Sequence, residues 1–171
     1  MKTVLTTFCV AFFVMIGFSQ EKSKKELKQE RELAKQAEIE ALVNAKEYEF
    51  VGDRAIPQGV RSIDLTTNPN FFRFEKDTIH SAMPFFGRGF AGVGYGNGDG
   101  GMDFKGFVND YSLKKGKKSW IVKANVKDNT DTYTVFLEIY FDGNAYLSIN
   151  SNKRSPISYN GAIHKLPVKT N

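Results

Sequence analysis

Apolar and polar residues alternate along the chain from Tyr48 onward, in short runs separated by turn signals. Runs that recur about every 8–12 residues are typical of all-β domains. The clearest runs are residues 120–126, 133–141 and 145–149, where every second residue is apolar. Because successive side chains of a strand point to opposite faces, this alternation predicts an antiparallel meander of four strands over residues 103–151, with one apolar face.

Loop lengths fix how these strands pair, since a slip of one residue turns every side chain to the opposite face. Four-residue loops at 114–117 and 128–131 and a three-residue loop at 142–144 keep the apolar side chains together. A two-residue turn at 142–143 is rejected because it places Leu137 opposite Ser148. The chosen loops predict these pairs: Val126 with Tyr133, Val122 with Leu137, Phe141 with Ala145, Leu137 with Ile149, Tyr111 with Trp120 and Phe107 with Ala124.

The apolar face of the meander needs a cover, and several short β-prone segments can supply it. They are residues 47–51, 62–65, 71–74, 79–83 and 157–163, and the apolar end of a preceding helix at 39–43 can add to them. The predicted fold is therefore mainly β, an antiparallel β-sandwich or partly open barrel preceded by a charged N-terminal α-helix. Both arrangements stay open at this point.

The helix is predicted from residues 21–47, which contain no glycine or proline and are dominated by strong helix formers. Seven basic and seven acidic residues give this segment no net charge, which argues against a nucleic-acid-binding helix. We interpret residues 20–46 as a charged helical stalk whose last turns dock on an antiparallel β domain at 47–171. A further hypothesis makes this helix a spacer that tethers or dimerises the domain.

The first residues have the pattern of a secretory signal peptide. Lys2 precedes a largely apolar run of 15 residues from Val4 to Phe18, which is shorter than the roughly 20 residues that span a membrane. We expect cleavage of residues 1–19 near Ser19-Gln20, export to the periplasm or the medium, and no transmembrane span thereafter; an uncleaved anchor is the alternative. The chain's single cysteine, Cys9, lies inside this run, so the mature protein has no thiol chemistry.

The glycine-rich stretch at 85–101 holds eight of the 15 glycines of the chain. A dinucleotide-binding pattern at 87–92 is not followed by a helix, and the oxygen-bearing residues at 97–103 lack the spacing of a calcium loop. The sequence therefore predicts no cofactor and no metal site. The favoured interpretation of 97–103 is a flexible loop, and the aromatic residues of the stretch either cap the core edge or line a binding mouth.

This stretch supplies most of the candidate ligand-binding residues, with Arg154 expected to pair with one of its aspartates. The candidates are Phe86, Arg88, Tyr95, Asp99, Asp103 and Arg154. No nucleophile and base stand together, so no catalytic residue is assigned and a non-catalytic binding or interaction module is favoured over an enzyme. The alternative is a hydrolase acting on an envelope polysaccharide or peptide through Asp99 or Asp103. The expected partner is an envelope component or small ligand, and not nucleic acid, because the protein is exported.

Several motifs along the chain resemble a known bacterial envelope family, domain of unknown function 4251. They are Ala55-Ile56-Pro57, Arg61–Thr66, Met83–Arg88, Gly100–Phe104 and Ser151–Tyr159, and the resemblance covers about residues 46–163. It implies a signal-bearing exported protein, often a lipoprotein, and supplies no activity, ligand or catalytic residue. This chain differs in that no lipid-acceptor cysteine follows its apolar run.

Overall fold

The computed structural model describes residues 23–90 and 101–168, which form one helix and nine strands. The bounds are α1 Lys24–Ala45, β1 Glu47–Pro57, β2 Ile63–Asp64, β3 Phe71–Glu75, β4 Thr78–Pro84, β5 Gly101–Lys115, β6 Ser119–Lys127, β7 Thr132–Tyr140, β8 Asn144–Ser151 and β9 Ile157–His164. The predicted signal peptide, Tyr95 and Asp99 lie outside the described residues.

Eight of the strands form a closed antiparallel barrel. The order is β1-β3-β4-β5-β6-β7-β8-β9, and β9 pairs back onto β1 from Glu49 to Pro57. The short strand β2 is extra and pairs with β1 at Arg54 and Ala55. The prediction of a mainly antiparallel β fold after a charged helix is confirmed, and of the two open arrangements the sheet adopts the barrel, fully closed. Closure leaves the ring of strands without a free edge.

The interior of the barrel is filled by large side chains. Inward positions of neighbouring strands carry Tyr48, Phe72, Trp120 and Tyr159, each at most 2% exposed. Aromatic side chains bury the largest apolar areas, and an eight-stranded barrel is just wide enough for its own side chains. The inward-facing side chains therefore form the hydrophobic core.

Helix α1 begins at a capping box. The Ser23 hydroxyl accepts a hydrogen bond from the Glu26 backbone N–H at 3.2 Å, and the Glu26 carboxylate accepts one from the Ser23 N–H at 2.8 Å. Among the described residues, those from 23 to 31 belong to one compact unit and those from Glu32 onward to a second. In the second unit Ile39 and Val43 are fully buried in the barrel core. Of the helical residues that the structure describes, no stretch is long and apolar enough to cross a membrane.

Strands β6 and β7 pair as predicted, with Val122 opposite Leu137, whereas the predicted register of β7 and β8 is wrong. Leu137 lies opposite Leu147, not Ile149, because the hairpin loop comprises residues 141–143. Gly143 adopts a left-handed conformation (φ 92°) that permits this tight loop. The error is a shift of two residues, which leaves the same side chains facing the core, so the apolar pattern could not detect it.

The predicted pairing of β5 and β6 is also wrong. Lys115, not Tyr111, lies opposite Trp120, and Phe107 lies opposite Lys127 with 72% of its surface exposed. Two features cause the error: Lys114 and Lys115 belong to β5, so the predicted loop at 114–117 is wrong, and a β-bulge between Asn109 and Ser112 exchanges the inward and outward positions of the strand. The alternation on which the prediction relied is therefore interrupted inside one strand.

The two ends of the barrel carry different connections. At one end, the part of α1 from Glu32 to Ala45 packs beside the β5–β6 and β7–β8 turns: the Lys115 ammonium contacts the Glu40 carboxylate at 2.6 Å, and the Ile39 side chain lies against Gly143. At the opposite end lie residues 58–62, 85–90, 128–131 and 152–156. We call this second end the loop end, and it carries the predicted site residues Phe86, Arg88 and Arg154.

Candidate binding site at the loop end

Backbone hydrogen bonds join the start of the β4–β5 connection to the β8–β9 connection. The Ser155 N–H donates to the Arg88 carbonyl at 2.9 Å, and the Phe90 N–H donates to the Lys153 carbonyl at 2.7 Å. Between these bonds Gly89 forms an antiparallel bridge with Arg154. The Ser155 hydroxyl also accepts a bond of 3.1 Å from the Arg88 N–H. Residues 87–90 are therefore held against the barrel before the chain reaches β5.

This pairing shapes an open depression of about 580 Å³. Its lining combines a half-buried aromatic ring, an exposed guanidinium, an amide, a hydroxyl and an aliphatic side chain. These belong to Phe86, Arg88, Gln58, Ser155 and Val60, with Gly59 and Gly87 between them. A β-carbon at Gly87 would collide with the Ser155 hydroxyl and the Phe85 ring, so the depression requires glycine at this position.

Arg154 fastens the beginning of β5 to the same connection. Its guanidinium donates to the Gly101 carbonyl oxygen and lies 5.4 Å from the centre of the Phe85 ring. The expected pairing with Asp99 or Asp103 stays a prediction, because Asp99 lies outside the described residues and Asp103 is exposed on the outer face of β5, opposite Ala82. Arg154 therefore holds the start of β5 in position beside the Phe85 ring.

Two buried tyrosines, near the starts of β7 and β9, lie in the barrel near the loop end. The Tyr159 hydroxyl donates to the Pro84 carbonyl at 2.7 Å, and burial raises the pKa of Tyr159 well above its usual range. Burial also raises the pKa of Tyr133 to about 12, and its ring stacks on Phe104 at 3.8 Å. Both phenols are therefore neutral at physiological pH, and both rings belong to the hydrophobic core.

The structure brings together two of the six candidate residues, Phe86 and Arg88, with Arg154 in the adjoining backbone. Sequence reasoning missed Gln58 and Ser155, which reach the depression from distant parts of the chain. Ser155 belongs to one of the motifs quoted above, which was the available signal. Within residues 23–90 and 101–168, no three His, Cys, Asp or Glu side chains gather as metal ligands do.

Comparison with known proteins agrees with the resemblance seen in the sequence. A crystal structure of a DUF4251 family protein from Bacteroides eggerthii superposes with a TM-score of 0.58 at 17% identity, over 77% of this chain and 88% of that one. At this identity the likeness shows a shared fold. No curated protein matches the chain. The family model described as Domain of unknown function (DUF4251) matches residues 30–163, most of the sequence, and the chain therefore belongs to this family.

Proposed function

We propose that this protein is an exported, non-catalytic binding module that holds an anionic envelope component at the loop end. Export rests on the leader pattern of residues 1–19, and the binding role rests on the depression beside Arg88. The described inward side chains belong to the hydrophobic core, so we place the ligand in the surface depression. Loops that a rigid β scaffold positions commonly carry binding residues.

The observation that carries the proposal is an exposed guanidinium beside a half-buried ring on a segment fixed by backbone hydrogen bonds. Arg88 and Phe86 occupy adjoining positions of the depression, and the bonds to Ser155 hold their backbone in place. Guanidinium groups match carboxylate and phosphate oxygens bidentately. Because the backbone is already ordered, binding would lose little conformational entropy.

These side chains favour a ligand with one anionic group and an apolar portion. The anionic group would bind Arg88, the apolar portion would pack on Phe86 and Val60, and the Gln58 amide and Ser155 hydroxyl would supply hydrogen bonds. Such a combination, a mostly apolar surface with a few polar groups that fix orientation, is typical of small-molecule sites. Carboxylate- and phosphate-bearing components of a bacterial envelope have this chemistry.

The test of binding is retention of molecules from a solubilised envelope fraction on immobilised protein, measured by mass spectrometry. Phe86→Ala and Arg88→Ala should each reduce retention by about tenfold, the loss expected for a central aromatic or arginine contact. Matched controls are Phe107→Ala, another exposed aromatic, and Lys117→Ala, which removes one positive charge at the opposite end. Equal retention by all four variants, each with the wild-type melting temperature, would contradict the proposal.

Export is tested separately by the mass of the protein recovered from each cell fraction. The expected species begins at Gln20 and is found in the periplasm or the medium. A cytosolic protein that still carries Met1 would overturn this part of the proposal and leave the binding experiment unaffected.

A further inference from the structure

A β-bulge in the barrel wall marks a second surface, away from the loop end. In the pairing of β1 with β9, Gly52 lies opposite Gly161 and Arg54 lies opposite Asn160, which leaves Asp53 as an extra residue. Asp53 is exposed, and the inward positions of β1 change parity across it. A bulge redirects a side chain and is over-represented next to binding and active sites.

Asp53 lines two neighbouring depressions on this wall. The smaller, of about 250 Å³, is also lined by Tyr140, Asn144, Tyr146 and Asn160 from strands β7, β8 and β9. The larger, of about 560 Å³, lies between β1 and residues 65–70. Its polar lining includes Thr66, Asn68 and His164. The bulge therefore joins the two depressions into one surface, which we call the bulge surface.

The smaller depression presents two aromatic rings, and a hydrogen bond restrains one of them. Tyr140 is 41% exposed, and the Tyr146 hydroxyl hydrogen-bonds the Ser158 hydroxyl at 2.8 Å. Both side chains point outward from the sheet, where no core packing requires an aromatic residue. A ring fixed in this way offers a flat apolar face at low entropic cost.

Amide side chains stand around these rings. The Asn144 amide nitrogen donates to the Asp142 carboxylate at 2.7 Å, which orients its carbonyl oxygen, and Asn160 is exposed on the neighbouring strand. A side-chain amide both donates and accepts hydrogen bonds, as pairs of sugar hydroxyls do. The charge at the smaller depression is the carboxylate of Asp53, which accepts hydrogen bonds from hydroxyls and repels other anions.

We propose that the bulge surface binds a neutral oligosaccharide. The C–H faces of one sugar unit stack on Tyr140 and Tyr146, while Asn160 and Asp53 bind its hydroxyls. The next unit extends past Asp53 into the larger depression, where Thr66 and Asn68 supply further hydroxyl and amide groups. This site is independent of the anionic ligand proposed for the loop end, because the two depressions share no lining residue with it.

The experiment is an amide NMR titration of the mature protein with cellotetraose, maltotetraose and chitotetraose. At least one should shift the resonances of residues 53, 140, 146 and 160, and Tyr140→Ala and Asp53→Ala should each weaken that binding by about fivefold to tenfold. Phe136→Ala is the matched control, since Phe136 is an outward aromatic residue of the same strand beneath Lys123. It should bind as the wild type does.

Two results would overturn the proposal. One is the absence of shifts with all three oligosaccharides at millimolar concentration, and the other is tighter binding of an anionic glycan such as oligogalacturonate. Spectra of the free variants report whether they are folded, and Tyr140→Phe, which keeps the ring, should retain affinity if Tyr140→Ala does not fold. Arg88→Ala should bind the oligosaccharide normally, so failure at one site is distinguished from failure at the other.

Discussion

Asn70 replaces a missing strand partner on β1, and its removal gives the sharpest test of how the barrel wall is held together. Strand β3 pairs with β1 as far as Phe50 and β2 pairs with Arg54 and Ala55, which leaves Gly52 between them. The Asn70 side chain fills this gap. Its oxygen accepts from the Gly52 N–H at 2.7 Å, and its nitrogen donates to the Gly52 carbonyl at 2.9 Å.

The cost of Asn70→Ala follows from these contacts. The change removes three hydrogen bonds, including one from the amide nitrogen to the Asn68 carbonyl at 2.9 Å. It also leaves the N–H and C=O of Gly52, a buried residue, without their side-chain partner. A buried polar group that loses its partner costs about 1–3 kcal/mol, so the free energy of unfolding should fall by about 3 kcal/mol. For a chain of this length, the melting temperature should fall by roughly 6–12 °C.

Urea denaturation measures this loss through the fluorescence of Trp120, the chain's single tryptophan, which is 2% exposed, with circular dichroism as a second probe. Asn68→Ala is the matched control, since the Asn68 side chain is exposed and takes no part in these bonds. A loss below about 1 kcal/mol for Asn70→Ala, or an equal loss for the control, would refute the reasoning.

Replacement by aspartate adds a dependence on pH. In Asn70→Asp an oxygen would face the carbonyl oxygens of Gly52 and Asn68, so burial and repulsion should raise the pKa of the new carboxyl group above its value in the unfolded chain. The protonated acid can donate a hydrogen bond and the ionised form cannot. The variant should therefore be more stable at acidic than at neutral pH, and stability should be lost as the pH rises through the folded pKa.

Two further predictions concern the core and its titration. In Gly106→Ala the new methyl group would lie 2.5 Å from the Lys127 carbonyl oxygen, so strand β6 must move and the same urea assay should show a loss of about 2–3 kcal/mol. Gly59→Ala, which has open space but a φ of 82°, should lose only about 1 kcal/mol, and the reverse order would contradict the steric argument. Because burial raises the pKa of Tyr133 to about 12, tyrosine ionises more readily in the unfolded chain, and the urea midpoint should fall as the pH rises above about 10. In Tyr133→Phe the urea midpoint should fall less steeply with pH. An unchanged pH dependence would contradict the raised pKa of Tyr133.

The sequence predicted the parts of the fold that depend on local pattern. Alternation in β6 and β7 placed Val122 opposite Leu137, and a long segment without glycine or proline predicted α1. These features are visible because each side chain in a regular element repeats the environment of its neighbour at a fixed spacing. Closure into a barrel depends instead on β1 meeting β9, a contact between the two ends of the sheet order that no local pattern encodes.

Some errors came from the lengths of hairpin loops, and others arose where the alternation is interrupted within a strand. The bulges at Asp53 and at residues 110–111 reverse the inward positions in the middle of β1 and β5. Asp110 has a positive φ (51°), a conformation that aspartate and asparagine adopt more readily than most residues, so the Asn109-Asp110 pair was a usable signal. At Asp53 the neighbouring Gly52 was the corresponding hint.

The same distinction applies to the candidate site. Phe86 and Arg88 could be chosen from the sequence as candidate binding residues, because aromatic and charged residues among glycines are not the pattern of a core strand. Gln58 could not, because it reaches the depression only through tertiary contacts, and for Ser155 the motif at 151–159 was a signal that did not show where its side chain lies. A single sequence does not show which distant residues tertiary contacts bring together at a site.

The candidate surfaces share a structural cause. A closed barrel offers a ligand no free strand edge, so we expect exposed groups to converge where the regular strand pairing is interrupted. Two such interruptions are the bulge at Asp53 and the pairing of residues 87–90 with the β8–β9 connection. It follows that stability and binding should separate by position. Substitutions of inward residues such as Leu137 should lower the free energy of unfolding and leave the affinity of the folded fraction unchanged. Arg88→Ala and Tyr140→Ala should instead weaken ligand binding and leave the free energy of unfolding unchanged.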